Sequence, residues 1–251
     1  MRNYFLFLFV FIFTLKTYSA PLKVVFVADP WCPYTCHAGS DREGILIDVL
    51  RSALPSAKYI IEYKNLPWAR AVEDTRHGKY NGIVGAFYSD APDFIFPNKP
   101  IVEIQNHAFV LAQSNLKVWE DQYLKSKKIG LIQGYSYGDK VDRQVALKSS
   151  NLQILAGDEI LSRLVKMLDA GRIDIIIETP LVILEAIKDM KKNQADYRSL
   201  GPVSSLALGL HIALSPKNAA SQSIKLDLDR GMSELKESGK LQKIFDRYSG
   251  K

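Results

Sequence analysis

Cysteine and histidine are scarce, at two and four in 251 residues, which leaves few thiolate or imidazole ligands for a metal array. Beyond residue 20 there is also no uncharged stretch long enough to span a hydrocarbon core, which takes about 20 helical residues. The most apolar segment, Ile173 to Ile187, is broken by Asp174, Glu178, Pro180 and Glu185. Low-complexity linkers, close repeats, a phosphate-cradling glycine loop and a recognisable nucleophile and base pair are missing as well. Basic residues exceed acidic ones by 33 to 27, but they fall in short clusters such as Lys125, Lys127, Lys128 and Lys188, Lys191, Lys192, with acids between them. These read as solvated helix faces and give no nucleic-acid footprint. At 47% hydrophobic and 24% charged residues, the chain has the composition of a folded protein. Its length fits one large domain or two lobes of roughly 100 residues each.

What is present begins with Arg2, an aromatic-rich uncharged run from Tyr4 to Leu15, and the small or polar residues Thr17, Tyr18, Ser19 and Ala20. Residues 1–20 are expected to be a secretory signal peptide, with an uncleaved anchor as the alternative; no cysteine adjoins the cut to accept a lipid. Cleavage removes Arg2 and Lys16 and lowers the formal charge from +6 to +4. Both cysteines lie in Trp31-Cys32-Pro33-Tyr34-Thr35-Cys36-His37, and in a secreted chain an even count favours a Cys32–Cys36 disulfide. A lengthened haem-attachment motif and the start of a zinc site are the competing readings. Each would need further ligands, for which only His77, His107, His211 or scattered acids remain, so no cofactor or metal is expected.

The hydrophobic pattern alternates strand and helix. Strands are expected at 22–28, 59–63 and 82–87, with helices at 44–54 and 68–76 between them. The pattern restarts near Ala108, with strands at 108–112, 128–132, 152–155 and 173–177 and helices at 139–148, 159–170 and 180–190. A strand at 208–214 and two helices, 224–237 and 240–248, complete the chain. Such alternation indicates α/β lobes, and the lack of a floppy tether suggests strands that cross a hinge.

Leu22 to Phe26, Gly44 to Leu50, Gly78 to Val84 and Phe94 to Ile101, in this order, resemble the first lobe of bacterial extracellular solute-binding proteins of family 3, the amino-acid-binding type. Lys128 to Gly138, Leu164 to Glu178 and Gly231 to Phe245 are similar to its second lobe and closing helices. The resemblance implies an α/β, two-lobe periplasmic binding protein fold (type II) with a hinge and an interlobe cleft. One lobe would comprise 21–107 plus 209–251 and the other 108–208. It also implies a periplasmic monomer that captures a small polar solute and passes it to the membrane permease of an ABC-type transporter. A ligand sensor docking on a membrane receptor, or a periplasmic lyase or dehydratase, remain alternatives on the same scaffold. One departure stands out: Pro92 occupies the position where the family carries an arginine for the ligand carboxylate.

Open α/β sheets bind ligands beyond the carboxyl ends of their strands, which singles out seven residues. Asp29 and Trp31 follow the first strand and offer charge and a flat indole, or else a turn cap and packing on the cysteine loop. Trp68 and Arg70 open a helix; Arg70 either takes over the carboxylate or pairs on the surface with Glu73 or Asp74. Tyr135 and Ser136 lie in a Gly134 to Gly138 turn before a helix, where free amides favour an anion. Glu178 ends a strand, as an acceptor for an amine or hydroxyl or as a partner of the following helix dipole. The expected ligand has a polar or charged group at each end, with donors at Arg70 and the Ser136 amide, and an apolar middle between Trp31, Trp68 and Tyr135.

Overall fold

A computed structural model describes residues 20–248; the leader expected at 1–20 lies, apart from Ala20, outside the described residues. β1 (Leu22–Ala28), α1 (Ile45–Ala53), β2 (Tyr59–Asn65), α2 (Trp68–Arg76) and β3 (Gly82–Ala86) alternate as the pattern requires, and the short β4 (Val102–Ile104) follows. The second series is β5 (His107–Leu111), α3 (Tyr123–Ser126), β6 (Ile129–Ile132), α4 (Asp139–Ala146), β7 (Leu152–Leu155), α5 (Ile160–Asp169), β8 (Ile175–Glu178), α6 (Pro180–Asp189) and β9 (Tyr197–Pro202). β10 (Leu208–Leu214), α7 (Ser221–Glu237) and α8 (Lys240–Tyr248) close the chain.

These strands form two five-stranded sheets, ordered β2-β1-β3-β10-β4 and β7-β6-β8-β5-β9. Each has a parallel trio joined by helical crossovers and then two strands running the other way against their neighbours. β1 is buried on both faces, so it reads as a continuous apolar run: Val24, Phe26 and Ala28 pack toward α1 and α7, and Val27 toward α2. The chain leaves the first sheet at Gln105–Asn106 and returns over 203–207; His107 opens a strand of the second sheet and Leu208 one of the first. Two crossings side by side make a hinge.

The pattern does not foretell β4 and β9. Both are edge strands, three and six residues long; β9 ends in Gly201-Pro202. With one side unpaired there is little pressure for the alternation that marks an inner strand. In the first lobe α7 crosses α1 so closely that a Cβ on Gly231 would stand 2.0 Å from the Ala53 carbonyl oxygen.

Candidate functional site

The carboxyl ends of the parallel strands face one another across a gap. From the first lobe it receives Asp29 and Trp31 after β1, Trp68 at the start of α2, and Phe87 to Asp90 after β3. From the second it receives Tyr135 and Ser136 after β6 and Glu178 at the end of β8. An outer cavity of about 380 Å³ runs from Trp31 and His37 to Glu159 and Asp189. A smaller, inner pocket adjoins it among Trp68, Gly85, Asp90, Asn106 and Ser136, and Asp29, Trp31 and Tyr135 line both.

The aromatic wall is built from local structure. The Cys32–Cys36 disulfide, with Cα atoms 4.8 Å apart, closes a loop in which the Trp31 amide donates to the Thr35 carbonyl and the indole leans on Tyr34 at 4.9 Å between centroids. Tyr135 reaches over from the other lobe and meets Trp31 and Trp68 edge-on, at 6.3 and 6.1 Å. It touches all four apolar clusters formed by the described residues, which makes it the wedge at their junction.

Polar contacts join the lobes. Tyr135 Oη donates to Asp29 Oδ2 at 2.5 Å, Trp31 Nε1 to Glu178 Oε1 at 3.0 Å, and the Ser136 amide to Asp90 Oδ1 at 3.1 Å. Ser89 Oγ donates across the gap to Ser136 Oγ at 2.8 Å, and Ser136 Oγ in turn donates within the second lobe to Asp142 Oδ2 at 2.6 Å. The lobes are therefore closed on one another. Gly134 permits the approach: its φ is +81°, and a Cβ there would come within 3.2 Å of Ala69 Cβ on α2.

Three carboxyl groups share this enclosure, and burial raises all of them. Asp29 is pushed up to about 6, against the pull of its Tyr135 hydrogen bond. Glu178 rises to about 7 although the Thr179 amide and Trp31 donate to it, and Asp90 to about 8 although the Phe87 and Ser136 amides donate to it. Neither cavity is lined by a lysine or arginine. Among the buried polar atoms of the described residues that lack a partner, two belong to this region: Glu178 Oε2, on a residue 1% exposed, and Trp68 Nε1.

Of the seven residues named from sequence, Asp29, Trp31 and Tyr135 line both cavities, Trp68 and Ser136 the inner one, and Glu178 stands behind Trp31. Arg70 does not join them. Its side chain is 65% exposed and its Nε lies 3.6 Å from Asp74, the surface alternative. Two residues along a helix is roughly 200° of rotation, so with Trp68 turned inward Arg70 must turn out. The Ser136 amide, expected to face a ligand anion, already donates to Asp90. Sequence reasoning passed over Asp90 and Asn106. The available signal for Asp90 was a carboxylate directly after β3, in the segment that departs from the family pattern. No group of three or more His, Cys, Asp or Glu fit to hold a metal occurs among the described residues.

No family model and no curated protein matches the sequence. Solved structures do match in fold. An ancestral arginine-binding protein bound to glutamine superposes with a TM-score of 0.73 at 17% identity, over 91% of this chain and 98% of that one. ArtJ, the arginine-, lysine-, histidine-binding protein of Geobacillus stearothermophilus, gives 0.73 at 18% identity, over 92% and 96%. A histidine kinase sensor domain with similarity to periplasmic binding proteins gives 0.75 at 14% identity, over 91% and 96%. The chain thus has the two-lobe fold of periplasmic binding proteins, and these similar structures are binding or sensor proteins.

Proposed function

We propose that this protein captures a small polar solute in the periplasm, as a monomer, and delivers it to the membrane permease of an ABC-type transporter. The lobes, 21–107 with 209–251 and 108–208, would hinge at the two crossings. The observation that carries this reading is the cleft itself. Side chains from both lobes converge on it, and beside the Tyr135 wedge what links them there is a handful of hydrogen bonds that opening can exchange for water. The amino-acid-binding proteins of the same fold support it.

Native mass spectrometry of the mature protein, followed by thermal-shift screening of amines, amino acids, organic acids and small sugars, tests the proposal, since a ligand of the native state stabilises it by mass action. The expected result is a bound compound that raises the melting temperature and is recovered chemically unchanged. If the compound is turned over instead, the enzyme reading takes precedence, with Glu178 or Asp29, each raised toward neutrality, as general acid. The sensor domain of this fold supports a second reading, in which the closed form docks on a membrane receptor. Stimulation of a reconstituted permease by the loaded protein separates the two.

A further inference from the structure

We infer that the cleft takes a small organic cation without a carboxylate: an amine, a guanidine or a quaternary ammonium. The inference rests on the capture reading and narrows it to a ligand class. Asp29 and Asp90 line the inner pocket, Glu178 stands behind the Trp31 indole that lines both cavities, Asp158, Glu159 and Asp189 line the outer cavity, and no lysine or arginine lines either. A buried carboxylate without a cation carries a large desolvation penalty unless a partner arrives. Oε2 of Glu178, a side chain 1% exposed, has no donor among the described residues, while Oε1 accepts from Trp31 and the Thr179 amide. Trp31, Trp68 and Tyr135 add ring faces, which attract a cation and bring no counter-charge of their own.

The anion side is closed from within. The amides placed to receive a carboxylate, Ser136 N and Phe87 N, both donate to Asp90, at 3.1 and 2.9 Å. A ligand carboxylate would have to displace that side chain to reach either amide. Trp68 Nε1, a donor of the inner pocket without a partner, suits a neutral oxygen such as a hydroxyl.

Calorimetric titration with matched pairs tests this: choline against betaine, agmatine against arginine, and cadaverine against lysine. In at least one pair the carboxylate-free member should bind, with its partner weaker by about tenfold or more. In Asp90→Asn the gap should shrink to about threefold or less, and Glu178→Gln should lose the cation. Circular dichroism shows whether the variants fold, and the wild-type pairs decide the question without them. A carboxylate-bearing member that binds as well as its partner overturns the inference, as does a screen in which no cation binds. Should a neutral or anionic solute bind and close the lobes, the ligand class falls and solute capture stands. Should no compound of any charge bind, capture falls too.

Discussion

Replacing Glu178 by Gln keeps the size of the side chain and removes the charge that a bound donor would meet. Truncating one partner of a buried charged contact costs about 2 to 5 kcal/mol, so Glu178→Gln should weaken capture of a confirmed solute at least about tenfold by calorimetry. Arg70→Ala should leave affinity within about twofold, because an exposed ion pair such as Arg70–Asp74 is worth about 1 kcal/mol or less. A large loss in Arg70→Ala would return that residue to the cleft. The convergence of Asp29, Trp31, Tyr135 and Glu178 was legible because each ends or follows a strand, and strand ends meet at the crevice. Arg70 was not, since a linear sequence does not say which way a short helix rolls until the inward commitment of Trp68 is known. Asp90 was not, because its meaning comes from the Ser136 amide, 46 residues away and on the opposite lobe.

Helices and strands raise a different question, namely how close they come. Gly231→Ala would set a methyl group against the backbone of α1, which cannot yield as a flexible side chain does. Separating α7 from α1 should cost about 1 to 3 kcal/mol or more, seen as a lower denaturant midpoint with ligand preference unchanged. Gly134 and Gly171 both have positive φ, +81° and +65°, but only Gly134 faces another element, Ala69 on α2. Alanine at either site should destabilise by about 1 kcal/mol, and only Gly134→Ala should also weaken solute binding, because its contact exists when the lobes are shut. Equal affinities in the two variants would contradict this account of closure. Inner strands and amphipathic helices were readable because burial on defined faces imposes a period. β4 and β9 were not, because one free edge relaxes it.

Across the whole molecule, the raised carboxyls tie closure to pH. An acid held above its ordinary range binds its proton more tightly in the closed form than in the opened or unfolded chain. Below about pH 4 both forms are protonated. As pH climbs toward about 6 for Asp29, 7 for Glu178 and 8 for Asp90, only the closed form keeps the protons, and its advantage is lost. Acids lowered by basic partners, such as Asp74 beside Lys79, titrate below this window. The solute-free protein should therefore melt several degrees lower at pH 8.5 than at pH 5 and scatter X-rays as a larger particle at the higher pH, with Asp90→Asn flattening both trends. A melting temperature that rises over that interval would refute it. The sheet order also governs assembly in time. β10 sits between β3 and β4, and β4 has no other strand partner among the described residues, yet β10 is synthesised only after the entire second sheet. A nascent chain released in sequence order must therefore hold the first lobe as an unfinished sheet, its β3 edge bare, while the second folds. Release in that order exposes the edge to misassembly, and the last strand to emerge acts as the bolt that completes the first.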